Sequence, residues 1–454
     1  MMMTGPSGRV AFIAGITGQD GAYLARFLLG KGYVVHGTSR DAALARLDGL
    51  MALGICDKIA LHSMSPTDFQ SVMQVIEDVA PDEIYNLSGQ SSVSLSFTQP
   101  AETLAGIALG TLNMLESLRR LGGRARFYNA GSSECFGDTG TRAANEQTAF
   151  RPKSPYGVAK AASISLVANY RESYGLLACS GLLFNHESPL RPTRFVTRKI
   201  TAAAAKIAAG TGARLALGNL SIRRDWGWAP DYVEAMWRML QCDEPDDFVV
   251  ASGVAHTLEE FVAAAFLEVD LDWRNHVDHD PSLVRASDIM YSVGDPTKAT
   301  KVLGWCPRVK MPEIVTRMVR AERETLGTVA AMASEGDGSR NSPRGAREVT
   351  VIRCGALGWC LGSPNSLSRE VMRGSRANRE PNSVGSTRPA LRHWWQTWWN
   401  RTELYSGTRG KRRNRPRLKI VGLIYANSND WCRLCRTRFW GMFFGFRAHR
   451  KLHR

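Results

Sequence analysis

The chain has 454 residues, 44% of them hydrophobic and 22% charged, and a formal net charge of +16. Its length allows two to three domains, and its composition suits a soluble globular core. The charge excludes a nucleic-acid-binding fold for the body: residues 331–454 carry 25 Lys and Arg against seven Asp and Glu, whereas residues 1–330 carry 33 against 35.

In chain order, "VAFIAG" (10–15) reads as a buried strand, "GAYLARFLLGKG" (21–32) as a helix closed by glycine, and "YVVHG" (33–37) as a second strand. "VMQVIEDVA" follows as helix, "DEIYNLSG" as strand, "TLAGIALGTLNMLESLRRLGG" as one long helix and "RARFYNAG" as strand. Strands separated by helices predict parallel pairing with right-handed crossovers, hence an α/β, doubly wound (Rossmann) sheet. Such sheets bind ligands at the carboxyl ends of their strands. Cys56, Cys135, Cys179, Cys242 and Cys306 lie singly in the body, which predicts a reducing compartment. The N-terminus has no apolar stretch of signal-peptide length and no run reaches the ~18 apolar residues of a membrane span, so a cytoplasmic protein with no membrane partner is expected.

The first strand runs into Gly15, Gly18 and Gly21, spaced G-x-x-G-x-x-G. Glycines there allow a tight turn and close approach of a pyrophosphate, which the following helix N-terminus favours; a plain strand-to-helix turn is the alternative. Arg40 after the second strand suits a 2′-phosphate and so NADP, or is a solvated loop arginine. In "SPYGVAK" (154–160), Tyr156 and Lys160 are four apart and share a helix face. An ammonium near a phenol stabilises the phenolate and lowers its pKa, making a usable base. In "NAGSSECFGD" (129–138), Ser132 and Glu134 alternate onto one side if strand geometry persists through them, leaving Ser133 facing away.

With "GITGQDGAYLA", "SSECFG", "SPYGVAKA", "LLFNHESPLRP", "FVTRKIT", "LGNLSIRRDWGWAPDYVEAMWRMLQ" and "GDPTKATKVLGW", the chain resembles the extended short-chain dehydrogenase/reductases, and within them the GDP-mannose 4,6-dehydratases, over about residues 9–325. The resemblance implies a lyase with an internal redox reaction: tyrosine takes the C4 hydroxyl proton, hydride passes from C4 to NADP, water leaves across C5 and C6, and the hydride returns to C6. It assigns catalysis to Ser132, Glu134, Tyr156 and Lys160. Cofactor contacts fall on Gly15, Thr17, Gly18, Gln19, Asp20, Gly21, Arg40, Leu87, Ser88, Gly89, Gln90, Ser91, Lys160, His186 and Arg191. Substrate contacts fall on Asn185, Lys199, Arg224, Arg285 and Asp288, whose cations match a diphosphate. No metal is implied. GDP-mannose or a related nucleotide sugar is the expected partner, with a homodimer or homotetramer as the assembly; the rival readings are a nucleotide-sugar 4-epimerase or 4-keto reductase and a non-enzymatic nucleic-acid binder.

The sequence departs from that family in three places. Serine stands in "LHSMSPTDF" where relatives carry an adenine-binding aspartate, with Asp68 nearby; "DAALARLDGL" replaces a loop that helps tetramers form; and "RASD" stands where Arg-Pro-x-Glu is common. Residues 1–185 are expected to be mainly the NADP-binding domain and 186–328 mainly a smaller substrate-binding lobe with returning strands. There Thr257 and Glu260 form a capping box, and Trp226, Trp228 and Trp237 are core residues. Residues 329–454, rich in Arg and Trp, form an extension opened by the linker "EGDGSRNSPRG". Its single C-x-x-C at Cys432 and Cys435, followed by His449 and His453, is a weak zinc signal, and its arginines and tryptophans suit a nucleic-acid arm or membrane-surface anchor. The absence of period or repeat favours an unselected, disordered extension.

Overall fold

The computed structural model describes residues 8–284 and 288–337, with residues 329–337 by backbone alone. Its central feature is a seven-stranded, all-parallel sheet in the order β3-β2-β1-β4-β5-β6-β10. The strands are β1 (Val10–Ala14), β2 (Val34–Ser39), β3 (Ile59–Ser63), β4 (Glu83–Asn86), β5 (Arg126–Ala130), β6 (Ala178–Leu183) and β10 (Phe248–Val250). The strand order reverses between β1 and β4, which opens a crevice at their carboxyl ends. The strands β3, β6 and β10 go beyond those expected from the sequence; "IALHS" of β3 is only partly covered, as befits an edge.

One sheet face is covered by α1 (Gln19–Gly30), the short α2 (Asp48–Ala52), α9 (Ala229–Leu240) and α11 (Thr297–Leu303). The other carries α3 (Phe69–Val79), α6 (Gly110–Arg120) and α7 (Pro155–Tyr174). The helices start and stop where local chemistry requires. Asp68 caps α3 by accepting from the amides of Gln70 and Ser71. Ser154 caps α7, Pro155 occupies its first turn, and Gly175 ends it in the left-handed region at φ +67°. The long helix predicted from Thr103 is preceded by α4 (Val93–Thr98) and built from α5 (Pro100–Leu104), a π turn at Ala105–Leu109, and α6.

A second unit of structure lies at the carboxyl edge. Its four-stranded sheet joins β7 (Asn185–Glu187), β9 (Arg223–Trp228), β11 (Ala255–Thr257) and β13 (Tyr291–Ser292), beside a two-stranded ribbon of β8 (Leu215–Leu217) and β12 (Val277–His279). α8 (Val196–Ala208), α10 (Leu258–Leu267) and α12 (Met311–Asp337) enclose a separate core around Trp226, Phe261 and Phe266. Thr257 caps α10 through the amide of Glu260, but Glu260 pairs with His256 rather than closing the box. Trp226, Trp228 and Trp237 are buried in cores. α12 continues to Asp337, past the boundary expected at residue 328. The basic extension beyond 337, with the cysteine and histidine pairs and the nucleic-acid and membrane readings attached to it, lies outside the described residues, as does Arg285. No helix among the described residues is long and apolar enough to cross a membrane.

Candidate active site

Four of the predicted residues meet where β5 ends and α7 begins. Ser132 is extended, but residues 133–135 turn into a 3-10 helix because the Ser132 hydroxyl accepts the amide of Glu134 at 3.3 Å. Strand alternation therefore stops at residue 132, and it is this cap that relates Ser132 to Glu134. The first turn of α7 packs directly on that 3-10 turn: a Cβ at position 157 would stand 2.7 Å from the carbonyl oxygen of Glu134, which requires Gly157.

Tyr156 and Lys160 project from that turn of α7 and are both buried. Lys160 Nζ donates to the carbonyl oxygen of Ala130 at 2.5 Å and stands 5.9 Å from the centre of the Tyr156 ring. Burial pulls the Lys160 ammonium down to about 8, so it stays mostly charged at neutral pH. The expectation of a lysine-lowered tyrosine is not met in the chain alone. Burial raises the Tyr156 phenol well above its ordinary value and the Glu134 carboxylate raises it further, while the hydrogen bond from Ser132 only partly opposes them. Desolvation of a group that must become an anion outweighs the lysine, whose proton is already directed at a backbone carbonyl.

The glycine turn lies at the start of α1. A Cβ at Gly21 would stand 2.5 Å from the carbonyl oxygen of Gly15, so the turn is a backbone cradle that a side chain would fill. Among the described residues no side chain caps α1, which leaves its first amides available to an anion. Asp20 and Gln19 reach from this turn to the segment after β6. Asp20 Oδ2 lies 2.9 Å from His186 Nε2, Gln19 Nε2 donates to the His186 carbonyl, and Ser188 Oγ donates to Gln19 Oε1 at 2.7 Å. Arg191 pairs with Glu187 at 3.3 Å and lies over the Phe195 ring. Between the two clusters runs the segment 87–91 after β4, where Ser88 donates to Asn86 and Gln90 donates to Thr103. Arg40 is exposed just beyond β2.

The sequence profile of the GDP-mannose 4,6 dehydratase family matches residues 12–318. GDP-mannose 4,6 dehydratase 2 of Arabidopsis thaliana is 45% identical over 326 residues, 70% of this chain and 87% of that protein. The chain belongs to the GDP-mannose 4,6-dehydratase family. The human GDP-mannose 4,6 dehydratase is 42% identical over 344 residues, 70% of this chain and 92% of that one. In fold, the chain is similar to the dTDP-glucose 4,6-dehydratase of Bacillus anthracis solved with NAD, at 16% identity and a TM-score of 0.61, over 70% of this chain and 98% of that one. The family is one of sugar-nucleotide hydro-lyases.

The residues predicted to face the nucleotide sugar lie on the second sheet and its flanks. Asn185 opens β7 and pairs in register with Trp226; Arg224 is buried on β9 between His256 and Ser292; Asp288 is half-buried just before β13. Lys199 on α8 donates to the carbonyl of Ala216 at 2.7 Å. Sequence reasoning missed the residues that hold these in place. Asp225, buried in "RDWG", accepts the amides of Ser252 and Gly253 at 2.8 and 2.9 Å and so fixes the strand carrying Arg224. Arg198 donates to the carbonyls of Pro189 and Arg191 and pairs with Glu322 of α12, tying the loop that carries Arg191 to the last helix. The signal available was composition: a buried carboxylate or arginine on an otherwise apolar element demands a partner.

Proposed function

We propose that the protein converts GDP-mannose to GDP-4-keto-6-deoxymannose, with NADP as a cofactor that ends each turnover unchanged. The observation that carries this is the placement of the buried Ser132, Tyr156 and Lys160 and the half-buried Glu134 on one shelf at the carboxyl edge of a doubly wound sheet. The cradle at Gly15–Gly21 and the uncapped start of α1 fit a dinucleotide pyrophosphate, the segment 87–91 fits its middle, and Arg40 fits a 2′-phosphate. Held by these residues, NADP would supply the hydride acceptor and donor that an internal redox reaction requires.

The chain's residues supply the proton chemistry. Ser132 hydrogen-bonds the C4 oxygen and Tyr156 takes its proton, with the Lys160 ammonium stabilising the phenolate. Once C4 is a ketone the C5 proton is acidic. Glu134 removes it and returns it to the departing C6 hydroxyl, which leaves as water. The proton held by Tyr156 then equals the one C5 regains, so the sugar loses one water and no net hydride. Lys199, Arg224 and Arg285 bind the diphosphate, with Asn185 and Asp288 orienting the sugar nucleotide. Asp288 is one methylene shorter than glutamate, so the choice of base is part of the test. We also assign the assembly to a homo-oligomer: Leu95, Phe97, Leu104, Leu109 and Val158 are large apolar side chains exposed on the neighbouring helices α4, α5, the π turn and α7.

The deciding experiment offers purified protein a panel of GDP-, dTDP- and UDP-sugars without added reductant, with its mass measured by light scattering. The expected result is a 4-keto-6-deoxy product from GDP-mannose, a mass of two or four chains, and loss of dehydration in Glu134→Gln with dinucleotide binding retained. A requirement for stoichiometric NADPH, or wild-type dehydration by Glu134→Gln, would refute the mechanism.

A further inference from the structure

The His186 ring meets a hydrogen-bond acceptor at each nitrogen. Nδ1 stands 2.7 Å from the carbonyl oxygen of Phe184, and Nε2 stands 2.9 Å from a carboxylate oxygen of Asp20. A neutral imidazole has one N–H and one lone pair, so with Asp20 ionised one of these contacts would set a lone pair against an oxygen; only the imidazolium satisfies both. The surroundings agree. Burial alone would pull His186 down, but the adjacent Asp20 carboxylate more than offsets it and raises the group above its ordinary 6.5; burial likewise opposes Asp20, which His186 nevertheless holds low. The other charged or titratable groups around the pair are Arg191, which disfavours the cation, Glu187, Lys160 of α7 and Tyr128 of β5, both of which feel the Asp20 charge, and Tyr232 of α9, whose ring stacks on His186 at 4.6 Å.

Asp20 sits in the first turn of α1. A helix N-terminus attracts anions, yet an uncompensated carboxylate in that turn would occupy the dipole and repel a pyrophosphate. The side chain of Asp20 keeps 23% exposure and that of His186 10%, so the carboxylate borders the open seat while its counter-charge lies behind it.

We propose that His186 is a positioning residue: as an imidazolium it cancels the charge of Asp20 at the start of α1 and thereby keeps the glycine turn receptive to the dinucleotide pyrophosphate. The inference rests on the reading that this turn seats a dinucleotide. It removes the His186 side chain from the set of direct cofactor ligands, since both ring nitrogens are already engaged.

The test combines NADP affinity, read by protein fluorescence between pH 7 and 10, with ¹⁵N spectra of the His186 ring. The wild type should bind roughly tenfold more weakly once pH rises through the raised value of His186, the loss of about one counter-charge at a helix start. Asp20→Asn should keep only the smaller alkaline loss that Lys160 contributes as it titrates at about 8, because the new amide donates to a neutral Nε2. His186→Phe, which keeps the stack on Tyr232, should bind roughly tenfold more weakly at pH 7. Adding Asp20→Asn to it should restore most of that affinity, which a merely structural role would not do. A double variant as weak as His186→Phe, or an equal alkaline loss in wild type and Asp20→Asn, would overturn the proposal. A singly protonated His186 at pH 7 in a chain that binds NADP would overturn the inference alone. A doubly protonated ring in a chain without dinucleotide affinity would overturn it together with the cofactor assignment.

Discussion

Tyr156 and Lys160 at the start of α7, and Asp20 and His186 at the start of α1, are two enclosed polar clusters on the same sheet edge, and burial acts on them with opposite outcomes. At α7 each group moves toward its neutral form: the phenol is raised and the ammonium lowered to about 8. At α1 each group is held in its charged form, the carboxylate low and the imidazole high. The difference is whether opposite charges meet. Asp20 and His186 are 2.9 Å apart, so their attraction exceeds the desolvation penalty; Lys160 directs its proton to a neutral carbonyl and leaves the phenol to solvent exclusion. A phenol raised in this way can give up its proton only when bound cofactor and substrate offset the desolvation cost. A paired cluster is fixed, which suits a binding seat.

The largest effect that would break this contrast is expected at Tyr156. Tyr156→Phe removes the hydroxyl that must lose and regain a proton, and turnover should fall by roughly 10²–10⁴-fold in the product assay; a variant within threefold of wild type would place the proton transfer elsewhere. Lys160 should show the thermodynamic side. Its folded value lies below its unfolded one, so the buried charge destabilises the cofactor-free fold fully below about pH 8, and the penalty fades as pH rises toward 10.5. Lys160→Met should stabilise the protein by about 1–3 kcal/mol at pH 7, with the gain disappearing by the top of that range, as followed by thermal melts across pH. A pH-independent change would mean that the ammonium is not desolvated. The smallest effect is expected under the paired cluster. The Tyr232 hydroxyl is buried with no hydrogen-bond partner among the described residues, so Tyr232→Phe should shift stability by about 1 kcal/mol or less, toward greater stability, in urea unfolding. A loss exceeding that would reveal a partner for the hydroxyl.

Much of the sheet was legible because its strands are long apolar runs between helical periods, as in "VAFIAG" and "RARFYNAG". The exceptions have local causes. β3 is half-covered at an edge, and β7, β8, β11 and β12 are three residues each, too short to show a period. The glycine turn and the Tyr156–Lys160 spacing could be read directly, since a cradle and one helix face are local properties. The relation of Ser132 to Glu134 was read through strand alternation, whereas a side-chain cap at 3.3 Å bends the chain between them.

The sequence by itself determined the family, four of the sheet's strands with the helices between them, and the identity of the polar groups at its carboxyl edge, because periodicity, caps and short motifs are written within a few residues. Only the tertiary structure decided the protonation tendencies: residues 20 and 186, or 130 and 160, are brought together by the fold, and electrostatic free energy depends on distance and solvent rather than on position in the chain.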